Sequence, residues 1–404
     1  MMTMRMRTQT LSLTLALLLL AASSASALVR YVKTDGLSIG PCLTWATACT
    51  LPTALGLADP LAGDQVWVKS GTYAPFSLVN GVRIIGGFSG TETTASQSNP
   101  TTNVSIIDGG LNAPCVTNVN TSPTAPAAIL RGFTLRNGRD SGDEGGGAFL
   151  ENSGALFVQC LFEENSAKYF GGAVAIRGAG SPQFINCVFR KNGAAAANPR
   201  DNLAGGAVYV REGTPLFVNC LFENNKAGQG GIVFLGDGSP TFINCTMVKN
   251  ESTLRPGGAI SDPNGQVTLK NCILWDNKRW VDDDGPGGPN PPVSQADQIS
   301  GASLALYCDT RDSWGRPEDG NINADPLFIN SANGDYRLQE SPASPCRDSG
   351  NENLAPPDTG DLNWNNNTIE PVPFDLAGLP RFGGNTVDIG AYEILPPPEQ
   401  GGPE

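Results

Sequence analysis

Four cations, two acidic clusters and one Asp/Asn-rich loop are the residues of this chain whose types and spacing could do chemistry. The cations are Arg177, Arg190, Lys191 and Arg211. A polysaccharide lyase uses Lys or Arg as its base, with a further cation or a metal ion neutralising the carboxylate of an acidic sugar. Asp140, Asp143 and Glu144 form one acidic cluster, and Asp282, Asp283 and Asp284 another. A glycoside hydrolase needs two carboxylates flanking a groove, yet each cluster lies in Gly-rich chain with no second carboxylate that sequence can place opposite. Asp361, Asn363 and Asn365 alternate as the oxygen ligands of a calcium loop do. Asn366 stands where such a loop wants Gly, Val372 where it wants a bidentate Glu, and Glu370 comes two positions early. An Asn-rich surface turn is the competing reading, and calcium is the one cofactor the sequence suggests. The chain contains no histidine. That excludes Ser-His-Asp and Cys-His catalysis, His-ligated zinc and imidazole pH switching.

The elements that must position these groups come from a repeat. Five segments align without gaps: CLFEEN from Cys160, CVFRKN from Cys187, CLFENN from Cys220, CTMVKN from Cys245 and CILWDN from Cys272. Glycine pairs recur between them, at Gly146-Gly147, Gly171-Gly172, Gly205-Gly206, Gly230-Gly231 and Gly257-Gly258. Successive cysteines are 27, 33, 25 and 27 residues apart. That period holds three short strands, and helix-favouring chain is nearly absent between repeats, so the expected fold is all-β. It is a right-handed parallel β-helix, a single-stranded solenoid of the pectate-lyase-like kind. Roughly ten coils at the strand spacing of about 4.8 Å give a rod of about 50 Å.

Stacking turns each repeat position into a column. Phe162, Phe189, Phe222, Met247 and Leu274 become an interior apolar ladder. Asn165, Asn192, Asn225, Asn250 and Asn277 fall at a sharp corner, where Asn tolerates left-handed backbone and stacked amides can hydrogen-bond along the axis. Cys160, Cys187, Cys220, Cys245 and Cys272 form a column of reduced thiols, because in-register neighbours sit too far apart for a disulfide. Outside the column, Cys42–Cys49 and Cys308–Cys346 are the expected disulfides, and Cys115 has no assignment. On the outer surface Glu163, Arg190 and Glu223 alternate in sign, as do Glu164 and Lys191, which suits a solvated face. Arg177 and Arg211 share a column on neighbouring coils, and like charges so opposed need an anion between them. Glu212 or a bound acidic sugar would serve, which makes Arg177 and Arg211 the candidate ligand-binding pair.

The ends divide accordingly. Residues 1–27 read as a signal peptide, with Arg5 and Arg7, the apolar run Leu11–Ala22 and the small residues Ala25-Ser26-Ala27. Its removal takes two arginines and no acid from a chain whose net charge is already −13, so nucleic acid is an unsuitable partner. Nothing after Ala27 is long and apolar enough to span a bilayer. Residues 28–64 are the N-terminal cap, with helix-compatible spacing over Cys42–Leu57; 65–280 are the repeats; 281–300 contain an acidic Gly/Pro loop. Residues 301–394 are C-terminal coils and 395–404 a disordered tail. Gly193–Leu203 is an insert at one corner, where inserts often build binding sites.

The alternation of GGA with F-x-x-N, complete at Phe162–Asn165, Phe189–Asn192 and Phe222–Asn225, resembles the repeats of polymorphic outer membrane proteins. The stretches ADPLF (Ala324–Phe328), NGDYRL (Asn333–Leu338), SPCRDSG (Ser344–Gly350) and VDIGAYE (Val387–Glu393) are similar to bacterial choice-of-anchor Q domain proteins. The resemblance implies a secreted or cell-surface β-helix protein of a bacterium, without the C-terminal barrel of the outer-membrane family. The expected role is adhesion, carbohydrate binding or structure, as a monomer, with a polysaccharide or cell-surface glycan as partner. An extracellular lyase or hydrolase acting on acidic polysaccharide is the alternative.

Overall fold

The computed structural model describes residues 27–120, 126–140, 144–194, 204–255, 257–281, 293–301, 303–311, 315–382 and 386–395. One coil shows the plan. Leu216–Val218 lies in the first wall, Leu221–Glu223 in the second, Lys226–Ala227 in a narrow corner strip and Val233–Leu235 in the third wall. Each strand pairs in parallel with its counterparts in the coils before and after. The described strands stack into a first wall of ten, a second of nine, a third of eight and a corner strip of seven. Ten first-wall strands give the right-handed parallel β-helix its ten coils.

Aromatic side chains set the core. Phe162, Phe189 and Phe222 stack in the second wall with centroids 4.8 and 4.6 Å apart, their planes within 9°. A second ladder, Phe157, Phe184, Phe217 and Phe242, stacks alike in the first wall and meets the first edge-on. Offset stacking within ladders and edge contacts between them are the arrangements the ring quadrupole favours. Each cysteine of the column is buried and free. The thiols of Cys187, Cys220, Cys245 and Cys272 each point at the carbonyl of the first-wall Phe in the coil before.

The corner between the second wall and the strip corrects one expectation. Left-handed backbone falls on the residue before the ladder asparagine, at Glu164, Lys191, Asn224, Lys249 and Asp276. The asparagines contribute their side chains. Asn192 Nδ2 donates to Asn225 Oδ1 at 3.0 Å and to Phe162 O at 2.9 Å, while its Oδ1 accepts from both nitrogens of Asn165. The same bonds run from Asn165 to Asn277, and a buried polar row so satisfied carries no desolvation penalty. Cys115 now has a role. It occupies the small-residue column that faces the asparagines, and its thiol lies 3.6 Å from Asn165 Oδ1. Gln298, in that column at the other end, accepts from Asn277 Nδ2 at 2.8 Å. A second left-handed column, Gln159, Asn186, Asn219, Asn244 and Asn271, turns the chain between the first and second walls. Glycine closes the third-wall corner: a Cβ on Gly172 would stand 2.4 Å from Gly206 O.

The ends differ from expectation in three places. In the N-terminal cap, Val29–Leu37 already pairs as the first strand, and the helix is confined to Leu51–Leu57 because the Cys42–Cys49 disulfide closes the preceding loop. Of the acidic Gly/Pro stretch, 282–292 lie outside the described residues, while Val293–Ala296 returns antiparallel against Lys278–Val281 and Ile299–Gly301 joins the third wall. Beyond Leu304–Leu306 and Asp309–Thr310 the described residues form no further full coil, and only a parallel bridge from Ile322 to Asp309 continues the stack. The chain turns back along the outside as a strap, from a hairpin of Phe328–Asn330 and Asp335–Leu338 to Ile394. The Cys308–Cys346 disulfide does not form. Cys308 continues the thiol column, receiving a bond from Cys272 N, while Cys346 lies on the strap against Asp309 Oδ2.

The strap reads the solenoid's backbone corners. Asn186 and Asn219 donate to the carbonyls of Asp375 and Phe374, and Asn271 bonds to both backbone groups of Asn351. Arg131 donates to three consecutive carbonyls, Gly360 to Leu362, with its guanidinium 3.8 Å from the Trp364 ring centroid. The wholly buried Arg381 pairs with Glu393 and donates to Asn219.

Candidate binding groove

The outer face of the second wall carries two columns. One is mostly apolar: Ile106, Thr134, Leu161 and Val188. The other alternates in charge: Asp108, Arg136, Glu163, Arg190, Glu223. The sequence columns began at Glu163; the register adds Asp108 and Arg136 in the two coils before. Arg136 Nε bonds Asp108 Oδ2 at 3.0 Å, and Arg190 reaches Glu163 Oε2 through Nε at 2.9 Å and Nη2 at 2.6 Å. The apolar column, with Arg136, Glu163 and Arg190 of the charged one, floors an open groove of about 670 Å³. Pro100, Thr101 and Val104 edge it on one side, and Leu376, Ala377 and Tyr392 of the strap close it on another. The next rung, Leu221, is buried in the apolar cluster that Tyr336 and Tyr392 of the strap join, so the floor stops at Val188. Four rungs at the strand spacing make it about 14 Å long.

The four sequence-selected cations are not brought together. Arg190 lies in this groove and Lys191 at its corner, where Lys191 Nζ stands 3.8 Å from Glu164. Arg177 ends one strand of the third wall and Arg211 directly follows the neighbouring strand Val208–Val210, on a different face. The partner of Arg177 is Glu144 of the preceding coil, at 2.5 Å, and not Glu212. Arg211 is exposed and makes no ion pair among the described residues. Glu144, weighed above as a hydrolytic acid, is thus itself buried and held by a partly exposed arginine. Asp143, Asp282, Asp283, Asp284 and most of the Gly193–Leu203 insert lie outside the described residues, as does the side chain of Asp140.

The groove's chemistry is that of paired groups. Burial alone would raise the Asp108 carboxyl, but hydrogen bonds from Gly110 N–H, Arg136 and Asn137 outweigh it and hold the group below its ordinary range. A general acid needs the opposite displacement, so Asp108 is unsuited to that role. Arg190 is engaged by both nitrogens that face Glu163, which does not suit it to accept a proton. What the row offers is alternating donors and acceptors beside an apolar stripe. The 361–370 loop closes on itself: Asn363, Asn365 and Asn367 donate to the Glu370 carboxylate, and Asp361 Oδ1 accepts from Asn366 N. The described residues contain no group of three or more Cys, Asp or Glu placed to hold a metal ion. No helix among them is long and apolar enough to cross a membrane.

A family model described as a right handed beta helix region matches residues 67–246 and, overlapping, 127–288. No curated protein matches the chain. Among solved structures it is similar to pectate lyase Pel9A, with 13% identity and a TM-score of 0.43 over 91% of this chain and 97% of that one. It is also similar to a rhamnogalacturonan lyase, with 10% identity and a TM-score of 0.38 over 75% and 91%. At these values the likeness is one of fold alone.

Proposed function

We propose, from the premise that this chain belongs to the right-handed β-helix family, that it is a secreted or cell-surface protein that binds polysaccharide. The glycan lies along Ile106, Thr134, Leu161 and Val188. One observation carries the reading: an open groove with an apolar floor runs beside a row of alternating, mutually paired charges. Sugar rings present apolar faces and hydroxyl rims, and such a floor and row complement both. The pattern of residues 1–27 supports export, and the resemblances to polymorphic outer membrane repeats and choice-of-anchor Q proteins support a bacterial surface. Binding is favoured over lyase chemistry because the groove's arginines are engaged by carboxylates, and the other candidate cations, Arg177 and Arg211, stand on a different wall.

The test is retention of the purified chain on a panel of immobilised glycans, run beside an ultraviolet assay for unsaturated products. Retention without product is the expected result. Val188→Arg, which fills the floor, abolishes it. Product formation that Arg190→Ala removes would make the protein a lyase.

A further inference from the structure

We infer that the groove takes an uncharged polysaccharide and discriminates against polyuronates. The inference rests on the groove reading above and narrows its ligand class. A uronate carboxylate entering the groove needs a cation without a carboxylate of its own, and among the described residues the groove has none. Arg136 is committed to Asp108, Arg190 to Glu163 through two nitrogens, and Lys191 at the corner to Glu164. On the strap, Arg337 is held by Asp335. Within the groove Glu163 stands between Arg136 and Arg190, so an anion laid along the row meets a carboxylate beside each guanidinium. Ejecting Glu163 from Arg190 would replace one charge-assisted contact by another with no gain. The chain's net charge of −13 adds a long-range field of the same sign.

Hydroxyl groups meet no such obstacle. Each donates and accepts, and the row keeps both functions open toward the groove. Among the described residues Arg136 uses only Nε, Arg190 leaves Nη1, Glu163 leaves Oε1, and Thr134 carries a hydroxyl. A neutral sugar can bridge guanidinium and carboxylate on adjacent rungs without breaking their pair, while its apolar face rests on Leu161 and Val188. That is recognition by hydrogen bonds over an apolar floor, the usual composition of a small-molecule site.

The experiment is affinity electrophoresis of the purified full chain in gels containing a neutral β-glucan, a neutral galactan, polygalacturonate or alginate, at fixed salt. At least one neutral glycan is expected to retard the protein with an affinity tenfold or more above either polyuronate. Glu163→Gln removes the carboxylate from Arg190 and is expected to raise polyuronate affinity threefold or more. The mutation is conservative at a partly buried position, and unchanged circular dichroism would show the fold intact. Polyuronate binding equal to or tighter than neutral binding in the unmodified chain overturns the inference alone. No retardation in any gel, or retardation that survives Val188→Arg, overturns the groove reading and this inference with it.

Discussion

The solenoid interior and the C-terminal strap bury polar groups in opposite ways. Inside, Asn165 to Asn277 repeat one neutral side chain, and each amide meets an identical partner one coil away. On the strap, Arg381 and Glu393 form a buried ion pair beside Asp375 and Asp388, with no copy among the described residues of the rod. Repetition lets a neutral group satisfy itself. This unrepeated contact is defined by charge, and charge taken out of water makes it sensitive to the loss of either partner.

That contrast can be broken at either end, and the two largest effects should match in size but not in place. Phe189→Ala removes a ring stacked on both neighbours and is expected to destabilise the solenoid by about 3–5 kcal/mol. Urea unfolding followed by circular dichroism reads it. Arg381→Met leaves Glu393 buried without its cation, a change worth about 3–5 kcal/mol. That loss should fall on the strap: limited proteolysis would cut within 315–395 while the main unfolding transition stays in place. If the solenoid transition fell as far as in Phe189→Ala, the two regions would be one cooperative unit.

A smaller loss, about 2–3 kcal/mol, is expected for Asn192→Ala, which orphans Asn165 N and Phe162 O in the interior. Its urea midpoint should fall with no new protease site in the strap.

Acidity separates the regions without mutation. Burial raises Glu393 from 4.5 to about 7, and Asp358 and Asp309, the latter facing Cys346, from 3.8 to about 6. Asp375 and Asp388 move the same way for the same reason. The docked strap therefore holds more protons than the undocked chain between these limits. Its stability is full below about pH 4 and falls as pH rises to about 7. Protease resistance of the strap should decline over that interval while the ladders, which hold no carboxylate, keep their circular dichroism. A strap that loosened instead on acidification would refute the assignment.

The smallest effect is expected at Cys115, which bonds the ladder's end and not its middle. Cys115→Ala should cost less than about 1 kcal/mol by thermal unfolding.

How much of this was legible in the sequence follows the same division. The cysteine, phenylalanine and asparagine columns could be read because every coil restates them. The first-wall ladder of Phe157, Phe184, Phe217 and Phe242 repeats as faithfully, three residues before each cysteine, and extending the alignment leftward finds it. Asp108 and Arg136 went unseen because their coils lack the cysteine that marks the register, although IID, TLR, LFE, VFR and LFE align once the walls are known. The grouping of Arg177 with Arg190 failed for a geometric reason: a column argument relates coils along one wall and says nothing across a corner. The groove's edges could not be read at all. Val104 and Tyr392 are brought together by a strap whose course depends on single, unrepeated contacts.

The strap also measures the rod. A stack of identical coils has no intrinsic length, since a coil of this repeat could be gained or lost and every ladder would close again. Arg131, Gln183, Asn219, Thr246 and Asn271, however, each hold a different point on the strap. Deleting one coil between them would bring the later anchors forward by about 4.8 Å against a template that had not shortened. The returning chain is thus a tape measure laid along the solenoid, and the coil number between Arg131 and Asn271 becomes a property selected as a whole.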